Sequence, residues 1–239
     1  MTAPLLEAAG MCVGYGPAPV VQDLDISVAA GEVVALLGPN GAGKSTTLLA
    51  LAGELPLRRG VVRRGGVEVS SALHRRARAG LGFVPEERSI VGSLTARQNL
   101  RIGKVDVGEV VSLFPELKDH LDRRAGLLSG GQQQMLALAR TLAREPKVLL
   151  ADELSLGLAP QVVNRLLGAV RTAADKGLGV LLVEQHVRKA LQIADRVCLL
   201  QQGRITWSGT SAEAIEQRHL LEASYLAGGA APESVRVIT

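Results

Sequence analysis

Gly38-Pro39-Asn40-Gly41-Ala42-Gly43-Lys44-Ser45-Thr46 lies between an apolar run, Val33-Val34-Ala35-Leu36-Leu37, and a helical pattern from Ser45 to Ala52. The apolar run has the length and branched content of a buried strand. Glycines in the loop behind it let successive backbone N–H groups turn inward and wrap an anion, and the N-terminus of the following helix adds its dipole. The spacing Gly38-x-x-x-x-Gly43-Lys44-Ser45 therefore predicts a phosphate cradle. Lys44 is expected to reach the β- and γ-phosphates of a nucleotide, and the Ser45 hydroxyl to ligate Mg2+. An incidental glycine-rich turn explains neither the strand before the loop nor the helix after it.

A second apolar run, Val148-Leu149-Leu150-Ala151, ends in Asp152-Glu153. Adjacent carboxylates at a strand end say little alone, but behind a phosphate loop they suit two tasks. Asp152 is expected to hold the water shell of the magnesium ion, and Glu153 to polarise an attacking water. Val180 to Val183 and Arg196 to Leu200 read as further buried strands, with amphipathic crossover helices between them. This is the rhythm of a parallel-sheet α/β domain. The section from about Arg88 to Arg144 reads differently. It is helical and polar, with turns near Gly92-Ser93, Pro115 and Ser129-Gly130-Gly131, and it holds no convincing buried strand. It is expected to be a helical subdomain inserted between strands of the sheet.

Composition sets the outer limits. Of 239 residues 47% are apolar, which is ordinary for a globular chain, but only 2% are aromatic, so the core must be Leu, Val and Ala. The net charge of +4 permits contact with nucleic acid or an anionic membrane surface and argues for neither. Cys12 and Cys198, a lone distant pair in apolar segments, read as small buried residues in a reducing compartment. Met1 to Gly10 carries Glu7 and lacks a charged region ahead of an apolar stretch, so no signal peptide is expected. The apolar runs are strand-length, and any membrane role is expected to pass through partners.

Leu128-Ser129-Gly130-Gly131-Gln132 opens a helix running through Met135-Leu136-Ala137-Leu138-Ala139-Arg140. A Ser hydroxyl, glycine amides and a helix N-terminus make a second anion site. This segment resembles the signature motif of ABC ATPases, and the resemblance covers nearly the whole chain. It implies a P-loop NTPase core of α/β class, with a mostly parallel sheet, an antiparallel N-terminal β portion and an inserted α-helical subdomain. The corresponding division is a single domain over 1–239. Its catalytic core is 1–87 and 146–227, its helical signature subdomain 88–145, and its loose tail 228–239. The resemblance implies ATP and Mg2+ as cofactors. It also implies two such domains sandwiching two nucleotides head to tail, so that Ser129, Gly130, Gly131 and Gln132 face the ATP of the other subunit. Tyr15, just after the first expected strand, matches the family aromatic that stacks on adenine.

Some positions depart from the family majority. In Phe83-Val84-Pro85-Glu86-Glu87-Arg88, Glu86 stands where a Gln is usual; it offers an oxygen towards Mg2+ but adds negative charge near the phosphates. Gln98 falls too late and belongs to a helix start, Leu94 to Leu100. The position of the usual switch His falls on Gln185, with His186 next to it. Gln185 is able to donate an N–H to the γ-phosphate but not to carry a proton. An extended strand end points His186 elsewhere, whereas a local bulge swings it inward, so both are catalytic candidates. Ala159 stands where many relatives carry Asp.

Pro85-Glu86, Ser155-Leu156-Gly157-Leu158-Ala159-Pro160 and Val183-Glu184-Gln185 together resemble one branch, the second ATP-binding subunit of high-affinity branched-chain amino-acid importers and their urea and amide relatives. Leu154 departs from the usual Pro of that branch. The likeness implies an ATPase on the cytoplasmic face of the cell membrane. It docks on two membrane permease subunits and pairs with a second homologous ATPase or with itself. A solute-binding protein acts indirectly, and nucleic acid is not a partner. The rival readings are the ATPase of a lipid or lipopolysaccharide exporter and a soluble ABC ATPase acting on DNA or the ribosome. DNA-repair relatives insert long coiled coils between phosphate loop and signature, and ribosome-acting relatives usually fuse two ATPase domains. This chain has a short interval and one phosphate loop.

Overall fold

The computed structural model describes residues 3–217 and 219. In chain order, its first half comprises β1 (Leu6–Val13), β2 (Val21–Val28), β3 (Val33–Leu37), α1 (Lys44–Ala52), β4 (Arg59–Arg64), β5 (Val67–Glu68), α2 (Leu73–Arg78) and β6 (Leu81–Val84). Three helices follow, α3 (Ala96–Gly103), α4 (Val107–Leu113) and α5 (Gly130–Leu142). The chain then returns through β7 (Val148–Asp152), α6 (Pro160–Asp175), β8 (Gly179–Glu184), α7 (Val187–Ala190), β9 (Arg196–Gln201), β10 (Arg204–Thr210) and α8 (Ser211–Glu216). The strands expected at Val33, Val148, Val180 and Arg196 are all present. The tail expected to be loose, 228–239, lies outside the described residues.

Two sheets form. An antiparallel one has the order β2-β1-β4-β5, and a larger one the order β10-β9-β3-β8-β7-β6. In the larger sheet β6, β7, β8, β3 and β9 run parallel, and β10 closes the edge antiparallel. Register decides what meets at the strand ends. Leu37 is level with Glu184, Asp152 with Val183, and Val84 with Ala151. The residues that follow these strands therefore gather at one carboxyl edge, where ligands bind in open α/β sheets.

Both faces of the parallel sheet are covered, which is why its strands read as unbroken apolar runs. Alternate residues go to opposite sides, as the pleat requires. Leu149, Ala151, Val180 and Leu182 pack with α5 and α6, whereas Val148, Leu150, Leu181 and Val183 pack with α1 and the antiparallel sheet. Leu, Val and Ala dominate this core, and Cys12 and Cys198 are buried free thiols. A third, smaller cluster joins Ala35, Leu37 and Val197 to Val187 and Ala190 of α7, with the sole tryptophan, Trp207, packed against it.

The interval between β6 and β7 carries α3, α4, α5 and two short 3-10 turns, and apart from an isolated Thr95–Arg124 bridge its described residues form no strand pairing. One expectation is corrected. The interval is not simply polar, because Leu100, Val110, Phe114, Leu117, Leu136 and Leu138 are fully enclosed in the same core cluster as the sheet. Ser129-Gly130-Gly131, noted both as a turn and as the opening of a helix, is the helix start. Ser129 caps α5 and both glycines lie inside the helix, since a capping box of Ser129 and Gln132 satisfies two N–H groups at its start. Gln98 does belong to a helix start, reaching back to the Thr95 N–H as the matching box of α3. No helix among the described residues is long and apolar enough to cross a membrane.

Candidate active site

The loop after β3 is shaped by two glycines in particular. Gly43 is the N-cap of α1 with φ 106°, a left-handed conformation that L side chains rarely adopt. A Cβ on Gly38 would collide with the Leu200 carbonyl, so the chain passes β9 there only as glycine. No side chain caps α1, which leaves its first N–H groups facing the cavity. The Lys44 ammonium, 5% exposed, donates to the carbonyls of Gly38 at 2.9 Å and Pro39 at 3.1 Å, and lies 3.8 Å from Glu153 Oε1. Burial pulls its pKa down, against the opposing pull of Glu153, Asp152, Glu184 and Glu86.

Asp152 ends β7 and is 4% exposed. Burial pushes its pKa up to about 6; the Ser45 hydroxyl beside it acts the other way, and Glu153 and Glu86 push it further up. Asp152 Oδ1 is enclosed with no hydrogen-bond partner. A buried oxygen without a donor is costly, and a cation supplies what is missing. Ser45 and Asp152 thus fit a hard, oxygen-loving ion. The described residues hold no cluster of three His, Cys, Asp or Glu able to bind a metal alone. The pair of Ser45 and Asp152 is of the kind that holds Mg2+, typically by one or two side chains together with substrate phosphates.

Glu153 follows with φ 47°, an uncommon conformation for a residue with a side chain. Its N–H donates to the Val183 carbonyl at 3.0 Å. Its Oε1 accepts from Gln185 Nε2 at 2.7 Å. The resulting cavity, of about 510 Å3, is lined by Asn40, Gly41, Gly43, Lys44, Ser45, Thr46, Glu86, Glu153, Leu156 and Gln185, with Val20 at its wall. Pro39 reaches Lys44 through its carbonyl, and the Ala42 N–H bonds back to Pro39.

Other candidates stand apart. Tyr15 is 67% exposed in the β1–β2 connection, the same connection that ends at Val20. His186 is exposed at the start of α7 and does not line the cavity. Ser129, Gly130, Gly131 and Gln132 open α5, also away from it. Ser129 Oγ accepts from the Gln132 N–H, which leaves its own proton free to donate. A Cβ on Gly131 would press Val162 of α6, so helix packing alone requires that glycine.

Three residues escaped the sequence reading. Arg88 donates to Gln134 at 2.9 Å and Gln133 at 3.0 Å, tying the loop after Glu86 to α5. Ser155 and Glu184 are hydrogen-bonded to each other beneath the cavity. A lone carboxylate ending an apolar strand was the available signal for Glu184.

The geometry can be set beside known proteins. The profile of the ABC transporter family matches residues 21–155. The high-affinity branched-chain amino acid transport ATP-binding protein BraG of Pseudomonas aeruginosa is 39% identical over 227 residues, covering 90% of this chain and 96% of that protein. The lipopolysaccharide export system ATP-binding protein LptB of Escherichia coli K12 is 34% identical over 228 residues, covering 90% and 94%. Among solved structures, an ATP-binding subunit of an ABC transporter aligns with a TM-score of 0.81 at 29% identity, covering 93% of this chain and 98% of that one.

Proposed function

The chain belongs to the ABC transporter family and is an ATP-binding, ATP-hydrolysing subunit, and from that premise we propose that it powers import of branched-chain amino acids or related small solutes through partner permeases. The observation that carries this reading is the 39% likeness to BraG across nearly the full length of both chains. The residues at the branch-specific positions, Glu86, Ser155 to Pro160 and Gln185, are of a piece with it.

In this reading the N–H groups of Gly41 and of Gly43 to Thr46, with the Lys44 ammonium, cradle the phosphates, while Tyr15 stacks on adenine. Ser45 and Asp152 would hold Mg2+, with Glu86 at the cavity wall able to offer an oxygen, and the ion would supply positive charge against the phosphates. Glu153 takes a proton from the attacking water. Gln185 holds that carboxylate with one N–H and keeps its second for a γ-phosphate oxygen. Ser129, Gly130, Gly131 and Gln132 serve the nucleotide of a second ATPase subunit, or a second copy, in a head-to-tail dimer. We divide the chain into a catalytic core of 1–87 and 146–227 and a helical subdomain of 88–145.

Two permeases are the membrane partners, which puts the subunit on the cytoplasmic face of the cell membrane. A groove of about 440 Å3 between α2, β6 and α5 supports this. It pairs Leu73, Phe83 and the exposed Ile102 with Arg78, Arg140 and Arg144. Phe83 lies just before Glu86, so a permease seated there is close to the γ-phosphate loop. The test is co-expression with a pair of branched-chain amino-acid permease subunits, then ATPase assay with a solute-binding protein and leucine, valine or urea. Solute-stimulated hydrolysis is expected. Association with a lipopolysaccharide export partner instead, with no stimulation by any solute, would overturn import.

A further inference from the structure

Glu184 takes no part in the roles above, yet it is 1% exposed at the end of β8. A carboxylate so enclosed is tolerated only where its oxygens are satisfied. Both of them bond the same residue. Oε1 accepts from the Ser155 N–H at 3.1 Å and Oε2 from the Ser155 hydroxyl at 2.8 Å, with Ser155 itself 2% exposed.

What this bond restrains is the turn behind β7. Glu153 is held there at φ 47°, a conformation that persists only when its surroundings over-determine it. Three consecutive residues of β8 and its end do so. The Val183 carbonyl accepts from the Glu153 N–H, the Glu184 carboxylate grips Ser155, and Gln185 holds the Glu153 side chain. Removing the middle contact leaves Glu153 held by its N–H and its carboxylate, while the turn that follows it loses its anchor at Ser155.

We propose that Glu184 is a positioning residue for hydrolysis: by clamping Ser155 it fixes the left-handed turn that aims Glu153, and so sets kcat without touching nucleotide. The proposal rests on the reading of Glu153 as the base. A clasp that served folding alone would change stability and leave turnover per folded molecule intact.

Steady-state ATPase of the full chain, with thermal unfolding alongside, tests this. Ser155→Ala removes the hydroxyl and spares the backbone bond. Its kcat is expected to fall about tenfold or more, because small misplacements of a reacting group are costly, with KM for ATP changed less than about twofold. Ser155→Thr, which keeps the hydroxyl, should recover most of the loss. Glu184→Leu, which removes both bonds, should lose at least as much, and adding Ser155→Ala to it should cost little more, since both act through one contact. Parental kcat in Ser155→Ala, a loss confined to KM, or multiplying losses in the double variant would each overturn the clamp. Should Glu184→Leu fail to fold, the Ser155 pair decides. Glu153→Gln assayed in parallel separates the two ideas: if it is inactive while Ser155→Ala is parental, only the clamp falls, and if it is fully active the base assignment falls first.

Discussion

Gln185 Nε2 donates to Glu153 Oε1 at 2.7 Å, joining the end of β8 to the end of β7 across the mouth of the phosphate cavity. The neighbouring His186 is exposed and turned into the first residue position before α7. If Gln185 both steadies the base and meets the γ-phosphate, Gln185→Ala should slow hydrolysis by roughly tenfold to a hundredfold, the scale of one lost transition-state donor. His186→Ala should stay within about twofold of parental activity. The reverse pattern in a steady-state ATPase assay would give the role to His186, and with it a step sensitive to pH near the imidazole range.

Glu153→Gln keeps the shape of the site and the partner of Gln185 while removing the base. Turnover should fall by about a hundredfold to ten-thousandfold, with ATP affinity retained because Lys44 and the loop amides are untouched. Equilibrium binding of a fluorescent ATP analogue, beside phosphate release, measures both. Hydrolysis at the parental rate would show that Glu153 is not the base.

Asp152 gives a pH signature in the nucleotide-free chain. Its pKa rises from 3.8 to about 6 on folding, chiefly by burial. Between those values the folded state binds the extra proton, so this group's contribution to stability falls as pH rises through the window. The full cost above pH 6 is on the order of 3 kcal/mol. Asp152→Asn should therefore be more stable than the parent at pH 7.5, with the gap closing at pH 4 in denaturant titrations. Mg2+ and ATP should narrow it at pH 7.5 by giving the parent carboxylate a partner. A gap independent of pH would exclude the raised pKa.

Glu86 lines the cavity as a carboxylate and pushes the pKa of Asp152 upward. Glu86→Gln should leave ATP binding intact and alter how far solute stimulates hydrolysis in the assembled transporter. Equal stimulation in both versions would remove any special role for the acid.

Much of this was legible before any coordinates, and the physical reason is burial. β3, β7, β8 and β9 are enclosed on both faces, so each is a run of Val, Leu and Ala whose limits are visible in the sequence. The antiparallel strands were not. β2 alternates buried and exposed residues, Leu24 and Ile26 inward and Asp23 and Asp25 outward, and only family resemblance pointed to that sheet. The apolar content of 88–145 was diluted along the chain, since Leu100, Phe114 and Leu136 meet only once α3, α4 and α5 pack together. Ser155 and Glu184 were out of reach for another reason. They lie 29 residues apart, and they meet because Asp152 is level with Val183, a register that no local pattern encodes.

The near absence of aromatic residues has an optical consequence. Trp207 is the only indole, and it packs against the cluster containing Val187 and Ala190 of α7, the turn that begins directly after Gln185 and His186. Excited near 295 nm, the whole protein therefore emits from one place, packed against the cluster that holds the short helix after Gln185. A displacement of that helix on ATP binding would be read in a single, unlabelled emission band.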